Sequence, residues 1–411
     1  MKILNQIKPS NEERQNFQRI QKEVVTRLNQ KLKDAEAILG GSGAKDTWLT
    51  GNHDVDIFIL FDYKKFSAKS NQLSKHLEPV IKKAFPQQKL NLIHGSRDYF
   101  QFNYGNYNFE IVPILKLNKS DEAINITDVS PLHSKWVNQA GKNLKDDIRL
   151  AKQFCKANQL YGAESYIGGF SGYILEILTI NYGSFEKLLK ASQKWKMGDV
   201  VDVEKHYPQK DALFHLNKSK TTSPLVIIDP VDKNRNAAAA LIKEVFVKFK
   251  HLAKLYLAKP NEMFFQEEEI NPETITKKAG KNPFIFLRAT PVKGKRDVIG
   301  VKIIKTFNHL KKELEPFQLK EAKWIWKGEG DAIFYFITKK DKLSAFEIRQ
   351  GPPLKMKEFV KEFKKKNKNS YEKNGRIFTK VKIEHPKLKE FINHSLKHKY
   401  VQERTKEIKL V

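Results

Sequence analysis

The sequence predicts an α+β multidomain protein with a head of mixed sheet and helices, a helical central domain, and an α+β C-terminal body and tail. Its 411 residues suffice for about two to four domains of the usual size. Strand and helix patterns alternate over the first third, helical patterns fill the middle, and strand patterns return after residue 283. From these changes we predict domains at residues 1–140, 141–258 and 259–411.

The head is predicted to begin with a helix opened by a capping box. Ser10 is followed by Glu13 and then by apolar residues at helical spacing. Strands of the head are predicted at residues 35–40, 55–61 and 108–117. We expect Pro113 to break the last of these, and Gly41-Ser42-Gly43 to form a tight turn after the first.

The middle of the chain reads as helical and the last part as α+β. Ser130 followed by Pro131 predicts an N-cap with proline in the first turn. Helical segments are predicted at residues 145–158, 170–182 and 237–257, whereas the polar stretch 197–222 is left unassigned. Further strands are predicted at residues 283–292, 332–338 and 343–348. Gly351-Pro352-Pro353 should end the last strand before a basic helix over residues 355–366.

The charge balance favours a phosphate-rich partner. Lysine and arginine number 76 against 47 aspartates and glutamates, which gives a formal net charge of +29. Such a balance is typical of proteins that bind nucleic acid. A lysine-rich solvated surface would give the same balance, so the charge alone does not decide between the two.

Cysteine usage and hydropathy exclude several classes of protein. Cys155 is the only cysteine, so the chain has no internal disulfide and no cysteine-rich zinc site. This fits a reducing, cytoplasmic location. The longest apolar runs are far shorter than a membrane span, and the N-terminus turns polar too early for a signal peptide. We therefore expect no membrane partner.

The most informative feature is a pair of aspartates, Asp54 and Asp56, where the apolar second strand begins. Residues two apart in a strand point to the same face, so the two carboxylates project together. Their mutual repulsion favours a bound divalent cation, and Mg²⁺ suits carboxylate, phosphate and water oxygens. Glu110, on another apolar strand, is placed to supply a third carboxylate. The pattern predicts a two-metal site for phosphoryl transfer.

A glycine-serine turn before the aspartates adds a phosphate-binding element. Glycine lets backbone N–H groups approach phosphate oxygens, Ser42 offers a hydroxyl, and Lys45 offers a positive charge. An Asp-x-Asp pair alone is common by chance, so the prediction depends on the combination with Gly41-Ser42. Asp46 and Asp62 lie nearby in sequence and are interpreted as surface residues.

These motifs resemble the signature of the DNA polymerase β-like nucleotidyltransferase superfamily. More narrowly, five segments in the family's order resemble the archaeal (class I) CCA-adding enzymes. They are residues 41–49, 130–136, 161–164, 169–173 and 229–236. The last third resembles the family more loosely, through residues 351–353 and 374–376.

The resemblance implies a polymerase β-like nucleotidyltransferase head and an enzyme that adds C, C and A in turn to the 3′ end of tRNA. Such an enzyme uses CTP and ATP with two Mg²⁺ ions, needs no nucleic-acid template, and releases pyrophosphate. Asp54 and Asp56 would hold both ions, and Glu110 would complete the site of the ion that activates the tRNA 3′-hydroxyl. Arg235 would read the Watson–Crick edge of the incoming base together with the tRNA backbone. The triphosphate would be bound by Gly41, Ser42, Lys45, Ser130, His133, Lys152 and Tyr161.

The residues themselves support part of this assignment. His133 falls in the first turn of a predicted helix, where free N–H groups favour anions. Arg149, Lys152 and Lys156 lie three or four apart on one helix and form a basic face suited to phosphates. Without the resemblance, His133 would be a cap residue, Lys152 a solvated lysine, Tyr161 a packing aromatic and Arg235 a surface charge. Tyr173 is interpreted mainly as a core residue.

The sequence departs from the family pattern at three positions. Lys45 stands where the family usually has arginine, which keeps the charge and loses the bidentate fork. Glu110 stands where aspartate is common and is one methylene longer. Gly168 stands where a basic residue is often found.

The C-terminal region is predicted to dock tRNA. The family grips the acceptor stem and the TΨC loop by shape and backbone, as expected for A-form RNA. Candidate contacts are Lys355, Lys357, Lys361, Lys364 and Lys365. The sequence leaves the oligomeric state open, and a homodimer is compatible with it.

Two other functions remain as alternatives. Another terminal nucleotidyltransferase, such as a poly(A) polymerase or an oligonucleotide synthetase, would show unlimited or single-base addition and would not explain the block around Arg235. A catalytically silent RNA-binding protein would be expected to lack a metal carboxylate, yet Asp54, Asp56 and Glu110 are all acidic.

Overall fold

The structure is a computed structural model that describes residues 2–208 and 211–411. Within these residues the helices are α1 (Lys2–Ile7), α2 (Asn11–Asn29), α3 (Gly41–Lys45), α4 (Tyr63–Phe66), α5 (Leu73–Ala84), α6 (Ser130–Ala140), α7 (Lys145–Ala157), α8 (Gly172–Tyr182), α9 (Phe185–Ser192), α10 (Ala212–His215), α11 (Lys243–Ala258), α12 (Pro272–Ala279), α13 (Arg296–Glu313), α14 (Lys357–Lys366), α15 (Leu388–Ser395) and α16 (Lys399–Gln402). The strands are β1 (Ala35–Leu39), β2 (Asp54–Phe61), β3 (Asn91–Ile93), β4 (Tyr99–Tyr104), β5 (Tyr107–Leu115), β6 (Asp199–Val201), β7 (Leu225–Ile227), β8 (Phe284–Pro291), β9 (Leu319–Ile325), β10 (Ala332–Thr338), β11 (Phe346–Pro353), β12 (Ser370–Lys373), β13 (Arg376–Lys382) and β14 (Thr405–Leu410). Across the described residues, no helix has the length and apolar character needed to cross a membrane.

The chain folds as two compact units, Met1–Glu268 and Glu269–Val411. The first unit contains a five-stranded sheet in the order β1-β2-β5-β4-β3. Strands β2 and β5 are parallel, and the other pairs are antiparallel, so the sheet is mixed as predicted. The three-part division at residues 140 and 258 stays a prediction.

Apolar residues on both faces of β2 explain its interior position in the sheet, between β1 and β5. Ile57 and Ile59 pack on one face against helices α2 and α5, which supply Leu28 and Leu77 to the same cluster. Phe58 and its neighbours form a separate small cluster on the other face. A strand buried on both faces reads as a continuous apolar run, which is the pattern that predicted it.

The rest of the first unit is mostly helical. Helices α7, α8, α9 and α11 surround an aromatic core that includes Phe154, Phe185 and Phe249. Helix α1 contributes Ile3 and Ile7 to this core. The short strand β6 lies in the stretch 197–222 that was left unassigned, and it pairs in parallel with β7, which follows that stretch. Residues 209 and 210 of the stretch lie outside the described residues.

The second unit contains two antiparallel sheets. The four-stranded sheet has the order β14-β8-β10-β9, and helices α13 and α15 share its main core through residues such as Phe307 and Ile392. The three-stranded sheet has the order β11-β13-β12. Helix α14 packs against β11, since a Cβ on Gly351 would lie 2.8 Å from the ring of Phe363.

Three local predictions are wrong for identifiable reasons. Pro113 does not interrupt β5. It pairs with Ile59 of β2 but lies beyond Ile111, where the pairing of β5 with β4 ends. No hydrogen bond to β4 therefore requires the N–H that proline lacks. Residues 351–353 do not lie beyond the strand, because β11 includes them by means of a bulge and ends only at Pro353. Ser130 is the first residue of α6 rather than its N-cap, because a 3₁₀ turn capped by Asn125 runs directly into the helix.

Candidate active site

Two neighbouring parallel strands place the three predicted carboxylates on one face of the head sheet. Asp54 and Asp56 lie two residues apart on β2, and Asp56 is paired in register with Glu110 of β5. Asn108, in register with Asp54, donates a hydrogen bond of 3.2 Å from Nδ2 to Oδ1 of that aspartate. Asp54 is exposed, whereas Asp56 and Glu110 are half-buried.

A glycine turn approaches Asp56 so closely that no side chain fits between them. A Cβ built on Gly41 would lie 1.7 Å from Oδ2 of Asp56, and the φ angle of Gly41 is +54°. The backbone N–H of Gly40 donates to the carbonyl oxygen of Asp56 at 2.8 Å. The turn predicted from Gly41-Ser42-Gly43 is therefore the start of the short helix α3, seated against the aspartate.

The electrostatics of Asp56 fit a bound divalent cation. Burial raises the pKa of Asp56, the nearby Lys45 opposes this, and the charge of Asp54 raises the pKa further. A half-buried carboxylate beside a second carboxylate gains most from a cation that both can ligate. The donor set is all oxygen, which suits Mg²⁺ rather than a softer metal.

Glu110 already has a partner on its other side, on strand β4. Its Oε1 accepts a hydrogen bond of 2.7 Å from Nε2 of Gln101, its partner across the β4–β5 pair. Among residues 2–208 and 211–411, only one group of three His, Cys, Asp or Glu side chains has its possible metal-ligand atoms within 4.8 Å of one another. That group lies in the second unit and does not include the three carboxylates of the head. Asp54 and Glu110 each accept a hydrogen bond from a neighbouring amide, and a bound cation would have to draw the three carboxylates together.

A buried carboxylate, Glu176, gathers two of the predicted phosphate-binding lysines. Its Oε2 accepts from Nζ of Lys45 at 2.6 Å and its Oε1 from Nζ of Lys152 at 2.8 Å. Thr47 donates to Oε1 at 2.8 Å and accepts from Lys152 at 2.8 Å through its hydroxyl. Two ammonium groups around one carboxylate leave the cluster with a net positive charge, as a site for phosphate requires.

The ionisation of this cluster follows from its burial. Burial opposes ionisation of Glu176, but Lys152 and Lys45 outweigh it and lower its pKa to about 2. Burial lowers the pKa of Lys152 to about 8, although Glu176 acts in the opposite direction. Lys152 is therefore charged at neutral pH and close to titration above it.

A second buried carboxylate, Asp229, gathers the predicted histidine and arginine. Its Oδ2 lies 3.0 Å from Nε2 of His133 and accepts from Nη1 of Arg235 at 2.5 Å, while Oδ1 accepts from the hydroxyl of Tyr173 at 3.0 Å. Burial opposes ionisation of Asp229, but His133 and Arg235 outweigh it and its pKa is lowered. The side chain of Arg235 remains 28% exposed, so part of the guanidinium is open to a ligand.

Tyr173 connects the two carboxylate clusters. Its ring packs against that of His133, with centroids 4.1 Å apart and an interplanar angle of 31°, and its centroid lies 5.7 Å from Nζ of Lys45. It packs against the core as predicted, and in addition its hydroxyl binds Asp229. Tyr161 lies beside the same helix start, because a Cβ on Gly172 would be 2.8 Å from its hydroxyl and 3.6 Å from Nζ of Lys152.

The basic face predicted on α7 is only partly available to a ligand. Arg149 is 1% exposed, and its guanidinium bonds the backbone oxygens of Trp48 and Asp46 at 3.0 and 2.6 Å. It also pairs with the side chains of Asp46 and Asp146 at 2.6 and 2.7 Å. Arg149 therefore has a structural role, and the prediction that it binds phosphate is wrong. Asp46, interpreted as a surface residue, is one of its structural partners.

The remaining predicted residues are placed as follows. Ser42 lies in α3 and Ser130 at the start of α6, and neither hydroxyl has a hydrogen-bond partner within the described part of the chain. Gly168 has a φ of +58°, and a Cβ there would lie 2.7 Å from Ile242, so close packing explains why no basic residue stands at this position. The predicted tRNA contacts Lys355, Lys357, Lys361, Lys364 and Lys365 are all exposed in the second unit.

Glu176 and Asp229 were not given roles from the sequence, although they organise the site. Glu176 carries a detectable signal, because it is the only charged residue in α8, whose sequence is otherwise apolar or neutral. A fully buried carboxylate requires positive partners. Asp229 lies in the segment 229–236 that carried the resemblance, yet its burial could not be read from that segment.

Comparison with known families places similarity along almost the whole chain. A nucleotidyltransferase domain matches residues 21–119, and the second domain of tRNA nucleotidyltransferase matches residues 146–266. The C-terminal domain of CCA-adding enzymes matches residues 296–407. These matches confirm the predicted nucleotidyltransferase fold of the head and the resemblance drawn from the motifs.

Two curated relatives and one solved structure illustrate the similarity. The CCA-adding enzyme of Sulfolobus acidocaldarius is 30% identical over 404 residues, covering 97% of this chain and 91% of that protein. The CCA-adding enzyme of Nanoarchaeum equitans is 45% identical over 242 residues, covering 58% of this chain and 59% of that protein. A structure of the Cid1 poly(U) polymerase aligns with a TM-score of 0.51 at 15% identity over 65% of this chain and 97% of that chain, which indicates a shared fold alone.

Proposed function

We propose, because the chain belongs to the family of CCA-adding enzymes, the tRNA nucleotidyltransferases, that it adds C, C and A in turn to the 3′ end of tRNA. The substrates are CTP and ATP, and each addition releases pyrophosphate. The observation that supports this most is the Asp54–Asp56 pair facing the Gly41 turn, with two buried ammonium groups nearby.

The carboxylates are proposed to hold the metal ions on which a nucleotidyltransferase fold depends. Asp54 and Asp56 would ligate two Mg²⁺ ions, and Glu110 would complete one site after exchanging its bond to Gln101. When bound, these ions supply neutralisation of the triphosphate and activation of the attacking 3′-hydroxyl. The residues meanwhile fix the geometry, since the register of β2 with β5 and the contact with Gly41 leave Asp56 little freedom.

The triphosphate is proposed to lie against the Glu176 cluster. Lys45 and Lys152 are positioned by one buried carboxylate, so they need little reorganisation when phosphate binds. Lys45 offers a single compact charge, whereas an arginine would offer two parallel N–H donors in a fixed geometry. Its contact with Glu176 fixes the direction of the lysine ammonium instead. The hydroxyls of Ser42, Ser130 and Tyr161 and the imidazole of His133 are the further proposed contacts, with the backbone of Gly41.

Base selection is proposed to depend on Arg235 held by Asp229. A guanidinium offers only donors. On their Watson–Crick edges cytosine and adenine carry an acceptor ring nitrogen, whereas guanine and uracil carry an N–H at the equivalent ring position. A guanidinium fixed by a buried carboxylate cannot turn away from that N–H, so guanine and uracil would leave unpaired donors in the site.

Transfer RNA is proposed to dock on the second unit through the exposed lysines before and along α14. Contacts to the backbone of A-form RNA need positive charge and shape more than base readout. Lys357, Lys361 and Lys364 lie three or four residues apart, so they share one side of the helix. Contacts to the acceptor stem and the TΨC loop are the finer part of this proposal, and the cytoplasmic location stays a prediction.

The test uses tRNA transcripts that lack CCA, CA or only the terminal A. Each is offered CTP, ATP, GTP or UTP, singly and in pairs, with Mg²⁺, and products are resolved to one nucleotide. Ordered addition of C, C and A that then stops supports the proposal. Open-ended adenylation would point to a poly(A)-type polymerase instead, and no incorporation would overturn catalysis. With Arg235→Lys, we expect weaker exclusion of GTP and UTP, and unchanged selectivity would remove Arg235 from base selection.

A further inference from the structure

Two histidines and a glutamate converge in the second unit, remote in sequence from every residue assigned above. His309 and Glu313 are four residues apart on α13, which places them one turn apart on one side of the helix. His398 comes from the turn between α15 and α16. One ligand atom from each of the three residues lies within 4.8 Å of those from the other two.

We propose that His309, Glu313 and His398 form a binding site for a zinc-type transition-metal ion. Two imidazoles with one carboxylate match the ligand set that zinc uses when three protein ligands leave a fourth position open. Such nitrogen-containing sets favour Zn²⁺, Co²⁺ or Ni²⁺ over Mg²⁺, which prefers oxygen ligands. This inference is independent of the proposed function, because it concerns a different ligand chemistry in the other unit.

The state of His309 is the second observation that points to a ligand. Its Nε2 atom is buried and has no hydrogen-bond partner among the described residues. A buried ring nitrogen without a partner is costly, and native structures rarely leave one. The ring is fixed from the side by Tyr400, whose centroid lies 4.8 Å away, so rotation toward water is restricted. A metal ion ligated through Nε2 would satisfy this nitrogen.

The carboxylate and the neighbouring rings complete the site. No ion pair of Glu313 occurs within residues 2–208 and 211–411, so its charge is available to a cation. The ring of His394 lies 5.2 Å from that of His398 and is exposed, which makes it a candidate for the fourth position in competition with water. Tetrahedral bonds of roughly 2.0–2.2 Å bring ligand atoms to about 3.5 Å from one another, so the three side chains would have to draw together when the ion binds.

The position of the site suggests what the metal would do. Helix α13 packs in the core of the four-stranded sheet, and β14, which follows His398 by a few residues, pairs with β8 of that sheet. A bound ion would link α13 to the start of α16, the short helix that precedes β14, and so hold the last strand in place. The expected role is structural stabilisation of the second unit.

The test measures metal binding by the full-length protein in a large excess of Mg²⁺, which occupies oxygen-only sites. The protein is loaded with Zn²⁺ or Co²⁺, desalted and assayed for bound metal, and Co²⁺ coordination is followed by visible absorption. The site-directed variants are Glu313→Gln and His398→Gln. The matched controls are Glu315→Gln and His251→Gln, which change exposed residues of the same types.

We expect the wild type and both controls to bind one more equivalent of Zn²⁺ than either site variant. We also expect Zn²⁺ to raise the thermal midpoint of the wild type and of the controls only. The two glutamines preserve size, and metal-free melts show whether the variants are folded. Equal binding by all five proteins, or no retained zinc in the wild type, would overturn the proposal and leave the histidines as a cluster of edge-to-face ring contacts.

Discussion

The Nζ atom of Lys45 lies 2.6 Å from Oε2 of Glu176, a contact that joins the glycine turn of the head to helix α8. Both residues are buried, with Glu176 fully inaccessible. Because Lys152 binds the other carboxylate oxygen, Glu176 orients two cations at once. The phosphate site and the fold around it therefore depend on the same side chain.

Replacing Glu176 with glutamine should destabilise the protein and weaken nucleotide binding. The change leaves two buried ammonium groups without their anion, which costs about 3–5 kcal/mol in the free energy of unfolding. The pKa of Glu176 is lowered to about 2 from 4.5, so its stabilising contribution is complete above pH 4.5 and is lost as the pH falls toward 2. Denaturant melts should show the difference from wild type shrinking over that window.

The control for this change is Glu186→Gln, which breaks an exposed ion pair with Lys190 on α9. Its effect should stay below about 1 kcal/mol. A Glu176→Gln protein as stable as this control would show that the lysines do not need the carboxylate.

Activity should decline in alkaline solution as Lys152 loses its proton. Burial lowers the pKa of Lys152 to about 8, so the free enzyme carries the ammonium below that pH and a neutral amine above it. The value of kcat/KM for CTP should fall about tenfold per unit above this point. In Lys152→Arg the guanidinium stays charged, so the alkaline limb of the pH profile, where kcat/KM falls, should move to higher pH. An identical alkaline limb in both proteins would assign it to another group.

Adding one methyl group at Gly41 should abolish most activity. A Cβ there would lie 1.7 Å from Oδ2 of Asp56, so the aspartate or the turn must move. A displacement of about 1 Å at a catalytic group costs on the order of 100-fold in rate. Gly51→Ala is the matched control, since Gly51 also has a positive φ, +69°, with nothing within 4 Å of its Cβ position. Single-turnover rates should separate the two, and equal loss would indicate general strain.

Removing lysines from α14 should weaken tRNA binding in a salt-dependent way. With Lys357, Lys361 and Lys365 changed to glutamine, the slope of log affinity against log salt should fall by up to about one unit per lost phosphate contact. The control changes three exposed lysines of α5, Lys75, Lys82 and Lys83. Filter binding over a range of salt concentrations measures both. Unchanged slopes in the α14 variant would exclude this helix from the RNA interface.

Patterns that depend on local spacing could be read from the sequence. The capping box at Ser10, strand β10 and the strand carrying Asp54 and Asp56 all follow from period and turn chemistry, and the structure confirms them. Long helices α5 and α13 were not predicted, although both are amphipathic enough to pack on a sheet. Strand β4, whose pairing with β5 brings Gln101 to Glu110, was also missed.

Relationships between distant residues could not be read in the same way. Arg149 looked like part of a phosphate-binding face, because helical spacing shows which residues share a face and not which atoms they meet. Its partners Asp46 and Trp48 lie about a hundred positions earlier in the chain. The buried carboxylates Glu176 and Asp229 pose the same problem, since only the folded chain shows which cations surround them.

The most direct test of the account is the rate of a single CMP addition by Asp56→Asn across a Mg²⁺ titration. Asparagine preserves the shape of the side chain and removes the charge that would hold the metal ions. The control is Asp62→Asn, because Asp62 caps helix α4 through Lys65 and asparagine can cap equally well. We predict a loss of about 100- to 1000-fold for Asp56→Asn, not recovered at high Mg²⁺, and near wild-type rates for the control. A rate for Asp56→Asn equal to that of the control would contradict the assignment of Asp56 as a metal ligand and, with it, the two-metal mechanism.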